Sequence, residues 1–209
     1  MKRSLALLIL LLPLQAGAHS LWVEPAPGGY KAFYGEPHEA EPEKGEKLDS
    51  FSKLEAWDAQ GATLAVRREK DHYFIASDSP SIRLRSLEGL YYGKEGKGTL
   101  YVQHARYQGA SEPVEGALFL DLRPLKGKLG RFEARKDGKP FAEAELTLHA
   151  PGGWNRPVKT DAKGRLELEL PWAGRYILSA YWKEERAGKK GEEAYQSVGH
   201  MGSLCFHRP

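Results

Sequence analysis

The chain has 209 residues, 31 of them Lys or Arg against 28 Asp or Glu, and a single cysteine. So even a balance gives no electrostatic footprint for nucleic acid or an anionic membrane surface. One cysteine excludes an internal disulfide, so stability must come from packing, and the length is enough for one large or two small domains.

Met1 to Ala18 opens with Lys2 and Arg3, runs almost wholly apolar from Leu5 to Leu14 around Pro13, and ends in Ala16-Gly17-Ala18. That is the tripartite pattern of a secretory signal peptide, with small residues at its last and third-last positions. The apolar run is too short to span a bilayer, and no later segment is long enough. No cysteine follows the small residues to carry a lipid anchor. The expectation is cleavage after Ala18 and an exported, periplasmic protein that does not span the membrane. Loss of Lys2 and Arg3 leaves 29 basic and 28 acidic groups, a formal charge of +1.

Cleavage there makes His19 the first residue. An N-terminal histidine offers an α-amine with a pKa near ~8 and an imidazole near ~6.5. Both are metal-ready close to neutral pH. The plainer reading is that His19 merely follows a cleavage site, which asks little of the next residue.

From His19 to about Arg123 the chain reads as short strands and turns. Leu21-Trp22-Val23 stops at the breaker Pro25-Ala26-Pro27-Gly28-Gly29, and Tyr30 to Tyr34 ends at Gly35. Glu36 to Glu43 is acidic and turn-rich, a surface loop by composition. Leu54 to Asp58 meets the turn Asp58-Ala59-Gln60-Gly61 before Thr63 to Val66. Tyr73 to Ile75, Ile82 to Arg85, Leu100 to His104 and Leu118 to Leu120 continue the series. Leu48 to Lys53 offers at most a helical turn.

The second half alternates more strictly. Arg131 to Ala134 leads into the turn Lys136-Asp137-Gly138-Lys139-Pro140. Glu143 to His149 puts Ala144, Leu146 and Leu148 on one face and Glu145, Thr147 and His149 on the other. After Val158 to Thr160 comes the turn Asp161-Ala162-Lys163-Gly164, then Leu166, Leu168 and Leu170 face inward. Arg175 to Trp182 follows Pro171-Trp172-Ala173-Gly174. Lys183 to Glu193 is charged and Gly-rich, a hairpin tip, and Tyr195 to Phe206 is a closing strand. The fold class expected is all-β: two small β-sandwich domains in tandem, 19–124 and 125–209, after the signal peptide 1–18.

Three segments carry a resemblance. Gly138-Lys139-Pro140-Phe141-Ala142-Glu143-Ala144, Thr160-Asp161-Ala162-Lys163-Gly164-Arg165 and Pro171-Trp172-Ala173-Gly174-Arg175-Tyr176 are similar to transthyretin-like and carboxypeptidase-regulatory-like β-domains, a relative of the immunoglobulin-like sandwich. With His19-Ser20-Leu21-Trp22-Val23-Glu24-Pro25 behind a leader, and His200-Met201-Gly202-Ser203-Leu204-Cys205-Phe206, the whole mature chain resembles the DUF4198 family. The resemblance implies the periplasmic component of a nickel or cobalt uptake system, with a membrane metal transporter as partner.

The other histidines rank by face. His104 shares a face with Leu100 and Val102, and His200 with Val198, Leu204 and Phe206. If those faces point inward, each imidazole needs a partner, either a metal or a backbone carbonyl. His19, His104 and His200 are therefore the candidate ligands for a divalent transition metal, nickel, cobalt or copper. His38 reads as solvated, with Glu36, Glu39 and Glu41 as cation collectors. His149 reads as surface, and His72 and His207 have no supporting context. Cys205 falls on the face opposite His200. Trp57, Trp154, Trp172, Trp182, Tyr91 and Tyr92 read mainly as core or sheet-face residues, with a carbohydrate platform as the alternative.

No G-x-S-x-G, H-E-x-x-H or C-x-x-C occurs, and no Gly-rich loop links a strand to a helix, so the reading is not of an enzyme. Three functions remain: a periplasmic metal-binding protein, a metal-free module binding protein or glycan at the cell envelope, and a copper enzyme using His19 in a histidine brace.

Overall fold

A computed structural model of the chain describes residues 19–38, 42–51, 53–109, 118–127 and 129–209. The expected leader, 1–18, lies outside the described residues, as do Glu39 and Glu41 of the acidic loop.

The first nine strands are β1 (Ser20–Ala26), β2 (Gly29–Gly35), β3 (Lys53–Trp57), β4 (Thr63–Leu64), β5 (Val66–Arg68), β6 (Tyr73–Ala76), β7 (Ser81–Tyr92), β8 (Gly98–Gln108) and β9 (Leu120–Pro124). The rest are β10 (Arg131–Lys136), β11 (Lys139–Pro140), β12 (Glu145–His149), β13 (Asn155–Lys159), β14 (Arg165–Glu167), β15 (Gly174–Glu184), β16 (Gly188–Lys190), β17 (Glu193–Tyr195) and β18 (Ser197–Arg208). Short 3-10 turns occupy Gly45–Ser50 and Pro151–Gly153. No helix of the described residues is long and apolar enough to cross a membrane. The expected all-β sandwich architecture is what the chain forms.

The turns follow from their residues. β10 passes into β11 through Asp137 and Gly138, both at positive φ (48° and 70°). That two-residue geometry matches strand twist. Pro140 sits in the short strand β11, which pairs only with β10 and needs no donor on its other side. After β13, Asp161 Oδ1 accepts the N–H groups of Lys163 and Arg165, each at 2.8 Å. Gly164 follows at φ +74°, where a Cβ would lie 2.7 Å from the Ala134 carbonyl oxygen.

β13-β12-β15-β18-β8-β7-β3-β4 form one eight-stranded sheet. Its centre is the parallel pairing of β18 with β8, from Ser197 opposite Thr99 to Cys205 opposite Tyr107. Strands from both sides of residue 124 thus share this sheet. The sheet β1-β2-β6-β5 packs on one face, and β9, β10, β11 and β14 form the layer on the other. Alternation along β18 shows the two faces: Leu204 and Phe206 join Leu120, Leu122 and Phe132, while Cys205 turns the other way onto Trp22 and Ile177.

β1 stands edge-on over the large sheet. Gln103 Oε1 accepts the Leu21 N–H at 3.1 Å, and Ser203 Oγ donates to the Leu21 carbonyl at 2.6 Å. These two side chains from β8 and β18 satisfy backbone groups that would otherwise be buried and unpaired. Leu21 and Val23 enter one core with Tyr30, Ile75 and Leu84, and Trp22 enters the other beside Cys205. Both faces of β1 are buried, which is why Leu21-Trp22-Val23 is a continuous apolar run and not an alternating one.

Close packing also dictates Gly202, on β18 beneath β9. A Cβ there would lie 2.9 Å from Leu120 Cγ and 3.2 Å from the Leu120 carbonyl oxygen. The second contact is backbone and cannot swing away. Gly202→Ala is expected to cost about 1–3 kcal/mol by overpacking. Urea unfolding measures it, and a change under about 0.5 kcal/mol would mean that β9 yields freely.

Candidate metal site

His19 immediately precedes β1, on the face of the large sheet that β1 covers. Its Nε2 lies 2.9 Å from Glu43 Oε1, and its ring packs on Tyr34, centroids 5.3 Å apart. Glu43 is held beside β2 by its own N–H, which donates to the Tyr34 carbonyl at 2.8 Å. Lys47 Nζ reaches the same carboxylate at 2.6 Å. Hydrogen bonds from Lys47 and then His19 keep the Glu43 carboxyl below the usual carboxylate range. An ionised carboxylate only accepts, so Nε2 of His19 carries the proton and the neutral ring keeps its lone pair on Nδ1. Nδ1 is the nitrogen that closes a six-membered chelate with the α-amine of the same residue.

Behind His19 lies a polar group that sequence reasoning did not find. Gln103 Nε2 donates to the His19 carbonyl at 3.4 Å and to Glu88 Oε2 at 2.5 Å. Glu88 is only 5% exposed and sits where a register shift between Leu87 and Leu90 interrupts the β7–β8 pairing. The hydroxyls of Tyr34 and Tyr91 both donate to its Oε1, Tyr91 at 3.2 Å. Burial and the Glu88 carboxylate push the Tyr34 phenol far up, so it remains a donor.

His104 and His200 come together elsewhere. Both are buried (2% and 3% exposed), on neighbouring parallel strands, with His104 Nε2 3.2 Å from His200 Nδ1. Phe119 stacks on His200 at 4.0 Å between centroids. His200 Nε2 faces Glu184 Oε2 at 3.3 Å, and His104 Nδ1 is buried without a hydrogen-bond partner. The inward faces expected from sequence are therefore correct. The two rings partner each other, and His200 also meets Glu184, where the sequence offered a metal or a backbone carbonyl. Burial, then His200 and Arg85, pushes His104 down to about 3, and burial lowers His200 against the opposing pull of Glu184.

The spacing of that pair suits one metal ion. Two nitrogens bound at 2.0–2.1 Å stand roughly 2.9–3.4 Å apart for right-angle to tetrahedral geometry. Further ligands do not converge: Glu184 meets the outer nitrogen of His200. Among the described residues, no three His, Cys, Asp or Glu side chains form a group fit to hold a metal. His104 and His200 also do not complete a shell around His19. Gln103, the residue that reaches His19, and His104 are neighbours on β8 and point to opposite faces. The sequence marks His104 and His200 as imidazoles that need partners if their faces point inward, but a lone strand does not tell which face meets which neighbour.

The remaining histidines need one correction. His149 is half-buried, not on the surface: its ring stacks on His38 at 6.2 Å and its Nε2 lies 3.0 Å from Ser179 Oγ. Burial, with His38 and Arg175 nearby, lowers it to about 4. The strand period placed it on the right face, but that face is covered. His38 pairs with Glu36 at 3.3 Å, and His72 with Asp71 at 2.6 Å. Four of the six aromatics expected mainly in core or sheet packing are well exposed: Tyr91, Tyr92, Trp154 and Trp172.

Compared with known proteins, the chain matches no family model, and no curated relative matches it.

Proposed function

We propose that the processed chain is an exported metal-binding protein that carries a divalent late transition metal as cargo, nickel or cobalt, with copper as the strongest competitor in vitro. The α-amine and Nδ1 of His19 are the ligands, and a membrane metal transporter is the partner suggested by the DUF4198 resemblance. One observation supports this above others: Glu43 accepts from Nε2 of His19 at 2.9 Å. A carboxylate on the outer nitrogen fixes the tautomer and raises the basicity of the ligating one. The ring packed on His19 is Tyr34, not the second imidazole that a histidine brace needs. The buried pair His104 and His200 serves as packing in this reading.

Calorimetric titration with Cu²⁺, Ni²⁺ and Co²⁺ at pH 7.5 tests it on four chains: one beginning at His19, one with a glycine before His19, His19→Ala and Glu43→Gln. The first should bind at one site, Cu²⁺ most tightly. The extended chain and His19→Ala should lose at least a hundredfold in affinity, and Glu43→Gln about ten- to a hundredfold. Equal affinity in the first three chains would remove the N-terminal site.

A further inference from the structure

The large sheet carries a second feature on the face that holds His19, beyond the end of β1. Tyr91, Tyr101 and Tyr181 project there together. Their register shows it: Tyr91 lies opposite Thr99, Tyr101 opposite Gly199 and Tyr181 opposite Met201, all on the face that Gln103 and Ser203 share. Tyr91 is 47% and Tyr181 42% exposed. Tyr91 and Tyr101 meet at right angles, 5.4 Å between centroids. Gly199 is the bare floor between Tyr101 and Tyr181. A Cβ there would lie 2.9 Å from the first ring and 3.2 Å from the second. The Tyr91 hydroxyl is tied to Glu88, so these rings are held in place and not loosely solvated.

Alongside the rings runs a cleft of about 470 Å³, lined among others by Tyr91, Tyr101, Thr99, Gln196, Ser197 and Lys183. Its polar groups have capacity to spare. Thr99 and Ser197 share a single hydrogen bond between their hydroxyls, at 2.8 Å. Gln196 spends its carbonyl on the Gly98 N–H at 2.6 Å, which leaves its amide hydrogens. Its charges are largely neutralised where they stand: Lys97 lies 2.7 Å from Glu95, and Lys183 lies 3.1 Å from Glu185. Lys94 alone is left over, too little to select a polyanion.

We propose that this cleft, with Tyr91 and Tyr101 in its lining and Tyr181 beside them across Gly199, binds an uncharged oligosaccharide. The C–H-rich face of a pyranose ring stacks on an aromatic ring, and its hydroxyls both donate and accept, as Thr99, Ser197 and Gln196 require. A proline-rich peptide, the other usual guest of tyrosine-lined grooves, only accepts along its proline residues. The right-angled Tyr91–Tyr101 corner suits one or two sugar units of a soluble chain and not a flat crystalline surface. The rings lose little conformational freedom on binding, because two torsions define a tyrosine and both are already set by packing. The inference is independent of metal binding at His19.

Nuclear magnetic resonance titration of the chain beginning at His19 decides it. The probes are cellohexaose, maltohexaose, mannohexaose and chitohexaose, each to 5 mM (about −3 kcal/mol at that limit), with a decamer of proline alongside. At least one sugar should bind, with shifts confined to residues around Tyr91, Tyr101, Tyr181 and Gln196. Tyr181→Ala and Tyr91→Ala should each weaken it at least tenfold, Tyr181→Ala without moving the urea midpoint. His19→Ala should bind the sugar as the parent does. Silence with all four sugars overturns the proposal, as does sugar binding that survives both tyrosine substitutions. Binding of the proline decamer alone overturns it in favour of a peptide groove.

Discussion

Asp121→Ala is expected to destabilise the protein by about 3–5 kcal/mol. Asp121 on β9 is 1% exposed and Arg106 on β8 is fully buried. The two form a bidentate pair, Arg106 Nε to Oδ1 at 2.9 Å and Nη2 to Oδ2 at 3.0 Å. Arg123 adds a third donor at 2.7 Å. Arg83, 8% exposed, lies close enough for its charge to be felt by the same carboxylate. Burial lowers the pKa of Arg106, and Asp121 is the first influence that opposes it. A guanidinium stays protonated regardless, so removing the carboxylate strands a buried cation.

The pair also has a place in the architecture. It fastens β9, which pairs with β10 of the small layer, onto β8 of the large sheet. Asp121→Asn keeps an acceptor but loses the charge and should fall between parent and alanine. Asp121→Leu combined with Arg106→Met should recover much of the loss, since a buried pair replaced by apolar groups of similar size is often neutral. Urea unfolding of the four chains gives the comparison. A cost below about 1 kcal/mol for Asp121→Ala would show that water reaches this site.

How much of this was legible beforehand depends on the range of each signal. Period-2 patterning is local, so the shared faces of β12 and β18 and the turn of Cys205 to the face opposite His200 followed directly from the sequence. Turn chemistry is local too, as Asp137-Gly138 and Asp161 to Gly164 show. The apolar pattern marks a strand only over Ile82 to Arg85, and Glu88-Gly89 lies where the ladder is interrupted. The interruption is a break in register, and the strand runs on to Tyr92. The parallel pairing of β8 with β18 joins residues 98 positions apart, and no local pattern announces it. Everything that depends on that pairing was hidden with it: the contact of His104 with His200, the tyrosine row across Gly199, and Gln103 and Ser203 beneath β1. Glu43 was visible as part of an acidic loop, yet nothing in its spacing singled it out over Glu36, Glu39 or Glu41.

The second large effect is a loss of stability in mild acid, between about pH 6.5 and 4.5, the span between free histidine and carboxylate. Burial pushes His104 down to about 3 and His149 to about 4, and it lowers His200 as well. In the unfolded chain each returns to about 6.5. Below that pH the unfolded chain binds protons that the folded chain refuses, so stability is full above 6.5 and falls as pH falls toward the folded values. Each unit of that gap costs about 1.4 kcal/mol per group. By pH 5 His104 alone should therefore cost about 2 kcal/mol relative to pH 7.5, with His149 adding less because it is only half-buried. The carboxylates whose pKa is lowered in the fold, Glu43, Glu55, Asp71 and Asp161, contribute only below about pH 4.5. The window above that belongs to the imidazoles. His104→Leu with His200→Leu should flatten the slope between pH 7 and 5, because two apolar side chains under Phe119 bind no protons in either state. Urea midpoints at pH 7.5, 6.5, 5.5 and 5.0 measure it for both chains. A parent midpoint that does not move across that range would mean that the buried pair takes up protons without cost. An unchanged slope in the double variant would assign the acid sensitivity to His149.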